Sequence, residues 1–155
     1  MSTLSLWREV FGLDKQTVIS SVYWDPDDDA VVARVRPNKR YAPCCGRCGA
    51  KAPKYDNGDG ERRWRSMDVG ATPAYLEGLA PRVNCPDHGP TVVLVPWARH
   101  GSRQTSWFED QVAWLAVHTS KFAVSMLMRI AWVTVGVSRV GFDGDPFALI
   151  SRTHL

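Results

Sequence analysis

The spacing of apolar residues changes character close to residue 100. Upstream, the chain offers short β-rich runs: TVISSVYW and AVVARVRP flank DPDDD, where proline and aspartate favour a turn with a wet tip. RRWRSMDV and TPAYLEGL flank Gly70 in the same way, and PTVVLVPW adds one more run. Ahead of them, LSLWREVFGL spaces Leu4, Leu6, Trp7, Val10, Phe11 and Leu13 much as a short amphipathic helix does, and is expected to pack as a lid. Downstream, SWFEDQVAWLAVHTSKFAVSMLMRIAWVTVG lacks proline and sets Phe108, Val112 and Leu115 on one helical face. The pattern predicts an α+β chain: a small antiparallel β domain, then three helices at about 107–117, 121–128 and 132–140.

Turn and cap chemistry refines these bounds. Ser106 with Glu109 three residues later is a capping-box start, and Ser120 caps the second helix. The short break RIA before the third helix suits a helix-turn-helix, in which the third helix presents its first residues to the major groove. On that reading Trp132, Val133, Thr134, Val137 and Ser138 face the groove, while Lys121, Arg129 and Arg139 face phosphates. An ordinary three-helix core explains the same spacing. ARHGSRQ, residues 98–104, reads as a linker between a first domain at 1–97 and a helical domain at 105–140, with 141–155 as an aberrant tail.

The candidate chemistry lies in PCCGRCG, which puts three cysteines within residues 44–48. Aligned on Cys45 and Cys85, CGRCG and CPDHG share one template: Cys, two residues, Cys or His, then Gly. Two spacers fold the backbone so that both ligands face one ion, and the following glycine supplies a positive φ that a Cβ resists. The alignment selects Cys45, Cys48, Cys85 and His88 as a three-thiolate, one-imidazole Zn2+ site, and leaves Cys44 out of phase. Thirty-six residues separate the two pairs, more than the roughly 15 to 20 of a compact finger. Two rivals stand beside this reading: small buried cysteines without metal, and a redox pair, which ordinarily sits at a helix start that these Gly- and Pro-rich flanks do not offer. With all four ligands from the protein, the site leaves no open position for hydrolytic zinc.

Composition changes this picture in three ways. A chain of 155 residues, 45% hydrophobic, can bury one sizeable core or two small ones. It has no apolar run near the roughly 18 residues of a membrane span and no secretory leader pattern, so a cytoplasmic, membrane-free protein is expected, and clustered cysteines there favour metal over disulfides. The net charge of +3 says little, but residues 34–65 hold ten Lys or Arg against three acids. A solvated face is the bland explanation; phosphate neutralisation by Arg62, Arg63, Arg65 and their neighbours is the sharper one. The acids offer no catalytic pair: Asp25 to Asp29 reads as a solvated turn run, and Asp68 and Glu77 as isolated. His100, His118 and His154 read as solvated or capping side chains.

CGRCG with CPDHG, RRWRSMDVG, VPWAR and FEDQVAWLA, in that order, resemble the N-terminal region of bacterial insertion-sequence transposases of the ISL-three family, over roughly residues 10–136. The resemblance implies a zinc-binding domain, then a helix-turn-helix that recognises the terminal inverted repeats of the element, then an Asp-Asp-Glu domain that cuts and joins DNA. The nineteen residues after Gly136 cannot build such a domain, and Gly141, Gly144 and Pro146 break the helix expected there. The expectation is a truncated, non-enzymatic DNA-binding portion, nucleoid-associated, partnered by double-stranded DNA at element ends and by an intact transposase or itself. Val133 and Val137 occupy positions where such helices commonly carry polar or basic residues, which weakens base readout. A zinc-ribbon module that contacts protein instead of DNA is the alternative.

Overall fold

Along the chain run α1 (Thr3–Val10), β1 (Thr17–Asp25), β2 (Ala30–Pro37), β3 (Lys54–Asp56), β4 (Glu61–Val69), β5 (Thr72–Leu79), β6 (Arg82–Cys85), β7 (Gly89–Val92), α2 (Ser106–His118) and α3 (Lys121–Met128). This is a computed structural model, and it describes residues 2–131 and 133–135. The described chain divides between Trp107 and Phe108 into two units.

Both hairpins anticipated from the sequence form, β1 with β2 and β4 with β5, and they lie side by side in a sheet of order β1-β2-β5-β4. Their junction corrects the purely antiparallel expectation, because β2 and β5 run parallel, with Val31 opposite Ala74 and Arg34 opposite Glu77. Parallel neighbours need a crossover of a dozen or more residues. The stretch between β2 and β5 supplies it, and carries the first cysteine pair, β3 and β4 on the way. A second, antiparallel sheet of order β3-β6-β7 holds the ribbon. The β4–β5 hairpin is thus inserted between β3 and β6, which accounts for the long separation of the two ligand pairs.

One core serves this unit. Ile19, Ala33, Val35, Trp64, Ala74 and Leu76 from the larger sheet meet Val83, Val93, Val95 and Trp97, with Trp64 and Trp97 edge to face at 5.4 Å. Gly78 sits where a Cβ would stand 2.3 Å from the Val35 carbonyl oxygen, so only glycine lets β5 approach β2 there. α1 buries none of its own residues fully; Trp7, Phe11 and Leu13 lean on the core beneath it. The segment 98–104, linker-like in composition, packs into this unit: Ala98 is buried, and Arg65 and Gln104 form a β-bridge flanked by backbone hydrogen bonds from Arg65 to Arg103 and from Thr105 to Arg65. α2 opens at Ser106, whose N–H goes to the Trp97 carbonyl at 2.9 Å, so the expected cap residue is the first residue of the helix.

In the second unit Phe108, Val112, Ala116, Val124, Met128 and Val135 form a separate core. Ser120 caps α3 as its position implies, accepting from the Ala123 N–H at 3.1 Å. Arg129 ends that helix in a left-handed conformation, φ 53°. Residues 133–135 are helical and fall within the third expected helix; its other residues, with the tail at 141–155, lie outside the described residues. Among the described residues no helix is long and apolar enough to cross a membrane.

Candidate metal centre and nucleic-acid interface

The two ligand pairs sit on tight turns of the same design. In the first, the Cys45 N–H donates to the Ala50 carbonyl and the Gly49 N–H to the Cys45 carbonyl, both at 2.8 Å. In the second, β6 and β7 pair Cys85 opposite Gly89. Gly49 and Gly89, the residues that follow the second ligands, have φ of +74° and +64°, the conformation the shared template demands. A bridge from Cys45 to Val93 ties the first turn to the chain leaving β7. Gly46 is a requirement the template does not reveal: its N–H donates to the Val92 carbonyl at 3.0 Å, and a Cβ would stand 2.5 Å from His100 Nδ1 and 2.6 Å from the Val92 oxygen.

These turns bring Cys45, Cys48, Cys85 and His88 together with every ligand atom within 4.8 Å of the others. Cys48 Sγ lies 3.7 Å from Cys85 Sγ, and His88 Nδ1 lies 3.8 Å from Cys45 Sγ and 3.5 Å from Cys85 Sγ. Thiolates bound tetrahedrally at about 2.3 Å stand about 3.8 Å apart, so the cluster has the dimensions of a four-coordinate zinc shell. Cys44 is outside it, its thiol donating to the Ala42 carbonyl. Burial pushes the Cys45 thiol up, but the backbone N–H groups of Cys48 and Arg47 outweigh it and bring the value down to about 6. The Ala50 N–H lowers Cys48, yet burial and the neighbouring Cys85 and Cys45 sulfurs leave it raised. Packed sulfurs cannot all shed protons without a cation among them, and a divalent ion bound here would supply that charge.

The arginines singled out on β4 are engaged elsewhere. Arg63 binds three carboxylates, Asp25 at 2.6 Å, Asp28 at 2.8 Å and Glu77 at 2.8 Å. Glu77 also accepts from Arg34 at 3.1 Å and from the Tyr23 hydroxyl at 3.0 Å. Burial raises the Glu77 carboxyl, and Arg63, Arg34 and Tyr23 more than reverse it; Arg63 likewise holds Asp25 below its ordinary value. The solvated-turn reading of Asp25 and the isolated reading of Glu77 are therefore corrected: both acids are buried partners of one guanidinium. Arg65 is nearly enclosed and paired with Asp68, and Arg62 reaches Asp59 at 3.3 Å.

In the second unit Lys121 is half-buried in the first turn of α3 and Arg129 is exposed at its end. Val133 is exposed, Thr134 half-buried and Val135 buried. Trp132, Val137, Ser138 and Arg139 are outside the described residues. The sequence pattern gave no sign that α3 would leave Phe122, Met126 and Leu127 largely exposed.

A four-ligand ribbon followed by α2 and α3, with residues 133–135 helical beyond the break after α3, has the order of a zinc-ribbon and helix-turn-helix chain. Residues 42–88 match the zinc-finger of transposase IS204/IS1001/IS1096/IS1165, and residues 93–136 match the helix-turn-helix domain of transposase family ISL3. The chain belongs to the ISL3 transposase family. It is 54% identical, over 98% of its length, to the transposase for insertion sequence element IS1557 of Mycobacterium tuberculosis, in both strain CDC 1551 / Oshkosh and strain ATCC 25618 / H37Rv. It spans 36% of the length of those relatives. No solved structure matches it.

Proposed function

We propose that this chain is the DNA-binding, N-terminal portion of an insertion-sequence transposase, recognising the terminal inverted repeats of an element in duplex DNA. The observation that carries the reading is the complete ligand set Cys45, Cys48, Cys85 and His88 in a family zinc-finger match, followed in order by a family helix-turn-helix match. In this reading Zn2+ is structural: it joins two turns far apart in sequence and contributes folding free energy, and no chemical step is assigned to the chain. Residues 1–97 form the metal-bearing part. Residues 105–140 form the reading part, with Lys121 and Arg129 on phosphates and the helix that begins near Val133 at base edges. The chain then works in the cytoplasm, on the nucleoid.

Duplexes carrying the ends of a matching element, compared with scrambled duplexes in fluorescence anisotropy, test this. The expected result is tighter binding to element ends and a steep fall in affinity with salt. No binding to either duplex at low salt would remove the reading.

A second reading, pairing with a full-length relative or a second copy, is favoured by the exposed Phe122, Met126 and Leu127 of α3, since contiguous apolar surface marks interaction sites. Sedimentation that stays monomeric at high concentration, alone and mixed with a full-length relative, would exclude it.

A further inference from the structure

Residues 30–55 hold seven Lys or Arg and no Asp or Glu. Two of the seven are used within the fold: Arg34 binds Glu77, and Lys54 donates to Asn57 beside the Asp56 carboxylate. The other five, Arg36, Lys39, Arg40, Arg47 and Lys51, are exposed, and among the described residues none has an ion-pair partner. The cations of β4 and β6 behave in the opposite way, with Arg62, Arg63, Arg65 and Arg82 each on a carboxylate. An arginine already neutralised by the fold releases few counterions on meeting a phosphate; an unpaired one releases its full share.

We propose that the phosphate-contacting surface of the metal-bearing unit is the segment 36–51, centred on Arg40, Arg47 and Lys51, and not the β4 arginines. This rests on the DNA-binding reading above and names the part of the unit that performs it. The segment is short-ranged in space. Asn38 anchors its start, its N–H donating to the Gln16 carbonyl at 2.7 Å and its side chain to the Lys15 carbonyl at 3.1 Å. Arg40 and Cys44 lie at most about 14 Å apart along the chain. The Cys44–Lys51 bridge folds Lys51 back beside Cys44, and Arg47 sits between the two cysteine ligands of the first turn. Duplex DNA carries a charge about every 1.7 Å of its axis, so a surface of this reach spans several phosphates. Among the described residues neither Asp14 nor Asp87 forms an ion pair with any of these cations. Backbone pairing of the first turn fixes where Arg47 and Lys51 leave the chain, and no carboxylate among the described residues pairs with either side chain.

The test uses the zinc-loaded chain and a labelled 30-base-pair duplex, titrated across a salt series. Variants Lys39→Gln with Arg40→Gln, and Arg47→Gln with Lys51→Gln, are compared with Arg62→Gln. Each is first shown to keep parental zinc content and melting temperature. Losing two phosphate contacts should lower the slope of log K against log salt by about 1.8 and weaken binding about tenfold at low salt, while Arg62→Gln stays parental. Double variants with the parental slope, or Arg62→Gln losing as much as they do, would overturn the surface while leaving DNA binding intact. A parent chain that binds no duplex overturns both the surface and the reading beneath it.

Discussion

The ribbon and the four-stranded sheet share one core but are secured by different means. The ribbon has strands of three and four residues, and its buried side chains around the ligands are small: Cys45, Ala52, Val83, Cys85 and Val93. The sheet has strands of eight and nine residues, buries Trp64, Leu76 and Val32, and is tied across its strands by Arg63, which binds Asp25, Asp28 and Glu77. Short strands bury little apolar area against their ordering entropy, and an ion held by the four ligands would add what packing lacks there. Long ones bury more, and Arg63 of β4 and Arg34 of β2 are taken up by the fold's own acids. The ribbon's strand cation Arg82 is likewise held by Asp56, whereas Arg47 and Lys51 on its first ligand turn have no ion-pair partner among the described residues.

Cys85→Ser breaks this contrast most strongly. The expected outcome is loss of stoichiometric zinc by elemental analysis and a melting temperature lower by more than about 15 °C, because structural zinc contributes on the order of 10 kcal/mol to folding in small domains. Retention of the parental melting point without metal would mean that the ribbon is held by packing after all.

Gly46→Ala comes next. Its Cβ would meet a backbone oxygen, which cannot swing aside as the His100 ring can, so about 2 kcal/mol of destabilisation is expected with zinc still bound. Thermal denaturation of the zinc-loaded protein measures it, and a neutral result would show that the Val92 backbone yields.

Arg63→Ala probes the sheet alone. Removing the guanidinium strands Glu77 and Asp25; discounted for partial solvent access, the expected cost is about 2 kcal/mol with zinc content unchanged. The pH dependence has a definite sign. Both carboxyls are held below their ordinary values of 4.5 and 3.8, so their contribution is complete above those values and is lost as pH falls through the lowered ones. The stability gap between parent and variant should therefore narrow as pH drops below about 4.5. Acid release of zinc affects both chains alike, so the difference isolates the network; a gap constant down to pH 3 would assign the loss to packing.

The ease of reading each feature from sequence follows its range. The grouping of Cys45, Cys48, Cys85 and His88 was legible because CGRCG and CPDHG repeat one local template, and α3 because Ser120 and the helical spacing are local too. The parallel joint was not, since alternation states which face is buried but not which way the neighbouring strand runs. Nor was the Arg63 network: its partners lie 14, 35 and 38 residues away, and a turn run of aspartates looks solvated until a distant arginine reaches it. Segment 98–104 has the composition of a linker, yet its backbone found partners on β4.

Cys44→Ser is the smallest expected effect and the sharpest control on the ribbon. Cys44 adjoins Cys45 and is half-buried, so proximity alone would make it a ligand. Its thiol instead donates to the Ala42 carbonyl at 3.4 Å, and its backbone pairs with Lys51. A serine hydroxyl keeps that donor, so stability should change by less than about 0.5 kcal/mol, with one zinc per chain retained. The spectrum of cobalt substituted at the site checks this directly, since charge-transfer bands from three thiolates should be the same in parent and variant. Loss of one thiolate's share of intensity would put Cys44 in the shell and displace one of the four ligands, undoing the match between the two turns on which the site was assigned.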